Sequence, residues 1–131
     1  MNEDARARIQ KLLLTGDNRL KQGVDPEKIR ESYEQALEVA GRAGDGAEAV
    51  KLALNLRPDV TLMDIAMPVM DGLQATKQIR RQWPTACVLM LTGSNSRTDV
   101  DQAREAGAAG YVTKERISAE LIEAILEIAS R

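Results

Sequence analysis

Residues 12–20 read LLLTGDNRL, and their conformation decides what the rest of the chain can build. As a strand, they run an apolar triplet into Asp17. As a helix, they share one stripe with Ala5, Ile9, Leu12, Leu13, Gly16 and Leu20, at spacings of 4, 3, 1, 3 and 4. Gly23 ends that stripe. Asp25 then suits an N-cap and Pro26 a first helical position, after which Ile29, Tyr33, Ala36, Leu37 and Ala40 form a second stripe. The strand reading offers only Leu12–Leu14 as a continuous apolar run. It also puts Gly23, Asp25 and Pro26 inside the following helix, where an interior proline costs about 3 kcal/mol. The local rules therefore predict an α-helical hairpin over residues 1–44, turning at QGVD and joined through GRAGDG to a second segment, 45–131.

That second segment alternates. AEAVKLALNL reads as a helix closed by Arg57-Pro58, and DVTLMD as a buried strand. GLQATKQIRRQW returns to helical spacing, with Leu73, Thr76 and Ile79 on one side, and ends before Pro84. ACVLML is apolar throughout, as a strand covered on both faces should be. SRTDVDQAREAG reads as a helix stopped by Gly107, GYVTK as a short strand, and SAELIEAILEIAS as a last helix with Ser118 as N-cap. Alternation of this kind predicts a parallel α/β sheet with right-handed crossovers, in one compact domain of 131 residues.

Composition removes several functions. Lys and Arg number 18 against 20 Asp and Glu, and aromatic residues make up 2%. A chain so balanced has neither the basic footprint nor the stacking surfaces for nucleic acid. The absence of His removes the commonest general base, metal ligand and phosphoryl-carrying imidazole. Cys87, alone in an apolar run, allows no disulfide within one chain. No stretch of about 18 apolar residues exists to span a membrane, and the charged MNEDARARIQ start is no secretory signal. The expectation is a soluble, cytoplasmic protein.

Three strand ends carry the chemistry: Asp64 after VTLM, Thr92 after VLML and Lys114 after YVT. In an open parallel sheet, ligands sit beyond the carboxyl ends of strands, so these side chains should meet at one rim. A carboxylate there can attack an activated phosphoryl group, a hydroxyl can hydrogen-bond a phosphoryl oxygen, and an ammonium can balance charge. Taken singly, each has a plainer reading: a capping carboxylate, a turn hydroxyl and a solvated lysine.

AGRAGDGAEAVKLA, RPDVTLMDIAMPVMDGLQATKQIR, VLMLTGS and AREAGAAGYVTKE together resemble the receiver domain of bacterial response regulators, above all receivers that precede LuxR-type DNA-binding domains. The resemblance spans about residues 39–131. It implies a flavodoxin-like fold and a two-component phosphorelay role, with Asp64 as phosphoacceptor, Thr92 and Lys114 as its switch and charge partners, and Tyr111 as a switch aromatic. It also implies Mg²⁺ held by Asp64, the carbonyl of Ala66 and an acidic pair at the end of the first strand. Here Gly16 would replace one acid of that pair and Asp17 would remain as the other.

TGDNRLKQGVDPEKIRESYEQALEVA resembles, in turn, a single tetratricopeptide-repeat hairpin. With that hairpin in place of the first strand or strands, the protein would be a chimera. The edge beginning at Val60 would then be open and would invite homodimerisation unless the hairpin covered it. Two functions follow. In one, Asp64 accepts a phosphoryl group from a partner histidine kinase, with Mg²⁺ and with impaired efficiency. In the other, the chain is a non-catalytic hybrid or protein-interaction module.

Overall fold

The deciding stretch is a strand. The computed structural model describes residues 11–15, 38–93 and 97–129, and within them Lys11–Thr15 forms β1 and Glu38–Ala43 forms β2. Strand β3 is Val60–Asp64, β4 is Val88–Thr92 and β5 is Gly110–Thr113. All pairs are parallel, in the order β2-β1-β3-β4-β5. This is the flavodoxin-like arrangement, and its strand order reverses direction between β1 and β3.

The helical hairpin expected over residues 1–44 is corrected at both described ends. Leu12, Leu13 and Leu14 pair with Val60, Thr61 and Leu62 on one side, and β1 pairs along its whole length with β2 on the other. A short apolar run has no period that separates helix from strand. Pairing on both edges satisfies the backbone of β1 through partners distant in sequence, and local helical spacing does not compete with that. Asp17, Ile29, Tyr33, Ala36 and Leu37 lie outside the described residues. With β1 and β2 in place, the ground for a chimera is gone. So is the ground for a dimer through Val60, because β1 covers that edge of β3.

Among the described residues, four helices connect and cover the sheet: α1, Gly46–Leu56; α2, Gly72–Gln82; α3, Arg97–Ala106; and α4, Ile117–Ala129. Asp45 caps α1 by accepting from the Glu48 N–H at 2.8 Å, and Asp71 caps α2 by accepting from the Gln74 N–H at 2.8 Å. Arg57 ends α1 in the left-handed region at φ 49°, ahead of Pro58, and Gly107 follows α3 at φ 99°. A 3-10 turn, Lys114–Arg116, leads into α4, so Ser118 lies within that helix rather than at its cap.

Alternation along β3 and β4 divides the core. Val60, Leu62, Leu89 and Leu91 pack with Val112 against Ile117, Leu121, Ile125 and Ile128 of α4. Met63, Val88 and Met90 face the opposite layer, where Ala49, Ala53, Ala75, Ile79 and Ala103 bring α1, α2 and α3 close. Every residue of β3 and β4 is buried, which explains why those strands read as unbroken apolar runs. Each buried Leu, Ile or Met contributes about 1.5–3 kcal/mol relative to exposure. The small alanines opposite them set how near the helices can come.

Candidate active site

The site lies at the carboxyl ends of the strands. Asp64 closes β3 and is 2% exposed. Across the sheet it aligns with Leu91 of β4, which aligns with Val112 of β5, and one residue further Thr92 aligns with Thr113. Lys114 follows at once and returns over the rim, placing its Nζ 2.9 Å from Asp64 Oδ1. The lysine is about one-third exposed and the aspartate is not, so water reaches the cation while the carboxylate depends on protein partners.

The Ala66 N–H also donates to Asp64 Oδ1, at 3.2 Å. Both contacts fall on one oxygen, and Oδ2 takes neither. Behind the carboxylate, the backbone N–H of Asp64 donates to Thr15 Oγ1 at 2.9 Å, and that hydroxyl donates to the Leu62 carbonyl at 2.9 Å. The loop after β3 is held by two further contacts. The Ile65 N–H donates to the Leu91 carbonyl at 3.3 Å, and the Gly72 N–H donates to the Ile65 carbonyl at 2.8 Å. Gly72 is obligatory there, because a Cβ would overlap the carbonyl of Asp64. Gly46 is bound in the same way by the carbonyl of Met70.

Asp64, Ala66 and Lys114 are therefore brought together. Thr92 is fully buried at the end of the neighbouring strand. Tyr111 stands apart on β5, opposite Met90 and 41% exposed, beside a cavity of about 230 Å³ formed with Val100, Ala103, Arg104 and Ala108 to Gly110. Asp17 falls outside the described residues. Among the described residues no three acidic or thiol groups cluster as a metal site; the carboxylate that the described residues bring beside Lys114 is that of Asp64.

Thr15 went unnoticed in the sequence. Its only signal there is a hydroxyl placed directly after an apolar triplet, and the helical reading of that triplet concealed it.

The response regulator receiver domain family model matches residues 25–126. The transcriptional regulatory protein LiaR of Bacillus subtilis is 45% identical over 89 residues, covering 68% of this chain and 42% of LiaR. The chemotaxis protein CheY of Halobacterium salinarum is 35% identical over 100 residues, covering 76% of this chain and 83% of CheY. Among solved structures, the signal receiver domain of the response regulator NarL from Mycobacterium tuberculosis superposes with a TM-score of 0.78 at 30% identity, covering 92% of this chain and 95% of that domain. The chain thus corresponds to less than half the length of LiaR, but to most of CheY.

Proposed function

Because the chain belongs to the response regulator receiver domain family, we propose that it accepts a phosphoryl group on Asp64 from a histidine kinase. The chain contains no His, so the phosphohistidine must come from another molecule. A carboxylate oxygen of Asp64 attacks phosphorus, the phosphorus–oxygen bond forms as the phosphorus–nitrogen bond breaks, and the imidazole leaves. The observation that carries this reading is the 2.9 Å pair between buried Asp64 and Lys114. It keeps a strand-end carboxylate in place beside a cation able to balance the negative charge of the incoming group.

The donor set suits a hard divalent cation, which needs one or two carboxylates and completes its shell with water and phosphate oxygens. Asp64 and the Ala66 carbonyl would hold Mg²⁺, with Asp17 as a second carboxylate. Once bound, the ion would draw charge from the phosphoryl oxygens. Gly16 supplies no side-chain oxygen where the family resemblance expects one. Affinity for Mg²⁺ is therefore lower than in a pocket with both acids, and phosphorylation needs correspondingly more of the ion. Thr92 would donate its hydroxyl to a phosphoryl oxygen and Tyr111 would report the change on the β5 face. The alternative of a hybrid scaffold drew on the hairpin and loses its premise with it.

Mass spectrometry after incubation with acetyl phosphate and Mg²⁺ tests the proposal. One phosphoryl group should be gained by the native chain and none by Asp64→Asn. Equal labelling of the two proteins, or none in either at millimolar Mg²⁺, would overturn it.

A further inference from the structure

The parallel ladder between β1 and β3 has one unusual rung. Its paired residues run from Leu12 with Val60 to Leu14 with Leu62 and stop there, although β1 continues for one more residue beside β2, where Thr15 aligns with Ala43. In a parallel ladder alternate residues face a given neighbour, and one that does so bonds the two that flank its partner. The Thr61 N–H faces β4, so Leu62 and Asp64 face β1. A residue opposite Met63 would reach the Leu62 carbonyl with its N–H and the Asp64 N–H with its C=O. Those are the two groups that the Thr15 side chain takes. Its hydroxyl donates to the Leu62 carbonyl and accepts from the Asp64 N–H, both at 2.9 Å. A hydroxyl has one proton and two lone pairs, so both demands are met by one atom. Met63 Sδ, 3.7 Å away, lies at the margin of the same proton.

This bridge sits between β1 and β3, at the switch point of the sheet, where the strand order changes direction. Thr15 is 6% exposed and Asp64 2%, so water is poorly placed to replace the bridge. The Asp64 N–H is therefore held from the β1 side by a side-chain hydroxyl.

We propose that Thr15 is a positioning residue for Asp64: its hydroxyl fixes the peptide on which the carboxylate is mounted. The inference rests on the reading of Asp64 as phosphoacceptor. Thr15 itself touches no transferred atom. Its effect passes through the Asp64 backbone to the direction of the carboxylate, and small displacements of a reacting group can cost up to about a hundredfold in rate. Serine keeps the hydroxyl, whereas valine keeps the shape and loses both hydrogen bonds.

Thr15→Ser and Thr15→Val should be compared with the native full-length chain in two measurements: the initial rate of labelling by acetyl phosphate at saturating Mg²⁺, and hydrogen exchange of the Asp64 amide by NMR. The expected result is a loss of about tenfold or more in labelling rate for Thr15→Val, with the Asp64 amide exchanging faster while amides of β4 keep their protection. Thr15→Ser should restore both readouts to near the native level. Native labelling rates in Thr15→Val, or an equal loss in both variants, would overturn the proposal. If the native chain takes no label, the phosphoacceptor reading fails and amide exchange alone decides the role of Thr15. Selective loss of protection in Thr15→Val upholds the anchoring, and unchanged protection overturns it. Should Thr15→Val fail to fold, Thr15→Ala in the same two measurements replaces it with the same expected outcomes.

Discussion

Lys114 Nζ reaches Asp64 Oδ1 at 2.9 Å from the far side of an intervening strand. Lys114 follows β5 and Asp64 ends β3, with β4 between them. Two strand spacings amount to about 10 Å, which a long side chain and the 3-10 turn at Lys114–Arg116 together cross. The pair thus ties three strand ends into one rim, and its loss should be felt in both folding and chemistry.

Replacing Lys114 by Ala leaves the buried carboxylate with the Ala66 N–H as its remaining described contact. Stability should fall by about 1–2 kcal/mol, below the 3–5 kcal/mol typical of breaking a fully buried pair because the lysine end is partly hydrated. Urea denaturation of Lys114→Ala and Lys114→Arg checks this. The arginine variant should recover most of the loss, and labelling of Asp64 should slow in the alanine variant.

Val69, between Pro68 and Met70, is 85% exposed and has φ 68°. A β-branched residue is strained there, and at this exposure its side chain gains little from packing. Val69→Gly or Val69→Asn should raise stability by about 1 kcal/mol. A thermal midpoint that fails to rise in either variant would contradict the strain.

Gly72→Ala places a methyl group against the carbonyl of Asp64. Either α2 withdraws from β3 or the end of β3 shifts, and the expected loss is about 2–4 kcal/mol, at the upper end of single substitutions. In NMR spectra, the amide resonances of Asp64, Ile65 and Gly72 should move more than those of β5.

Arg57 occupies the left-handed region while its guanidinium stacks 4.7 Å from the centroid of Trp83. Arg57→Gly relieves the backbone and loses the stacking, two effects of about 1 kcal/mol each that nearly cancel. Arg57→Ala loses the stacking and keeps the strain. The two variants should therefore differ by about 1 kcal/mol in chemical denaturation, with glycine the more stable.

From Ala47 onward, the alternation of helices and strands was readable because each element carries its own signal. VTLMD and VLMLT are apolar on both faces because both faces are covered. Asp64, Thr92 and Lys114 could be placed at one rim because the first two end such runs, Lys114 closes the short strand pattern GYVTK, and parallel order brings like ends together. The contact between Lys114 and Asp64 was not readable, since it depends on the turn after β5.

Composition and pattern by themselves determined that this chain makes a parallel α/β sheet with its polar strand ends gathered on one side. The state of Leu12–Leu14 was decided only in the assembled sheet. Their helical spacing is a local preference, whereas the hydrogen bonds that override it come from β3, 48 residues away for Leu14 and Leu62. Thr15 shows the same dependence: its hydroxyl has meaning only when folding brings the Asp64 N–H, 49 residues on, within 2.9 Å.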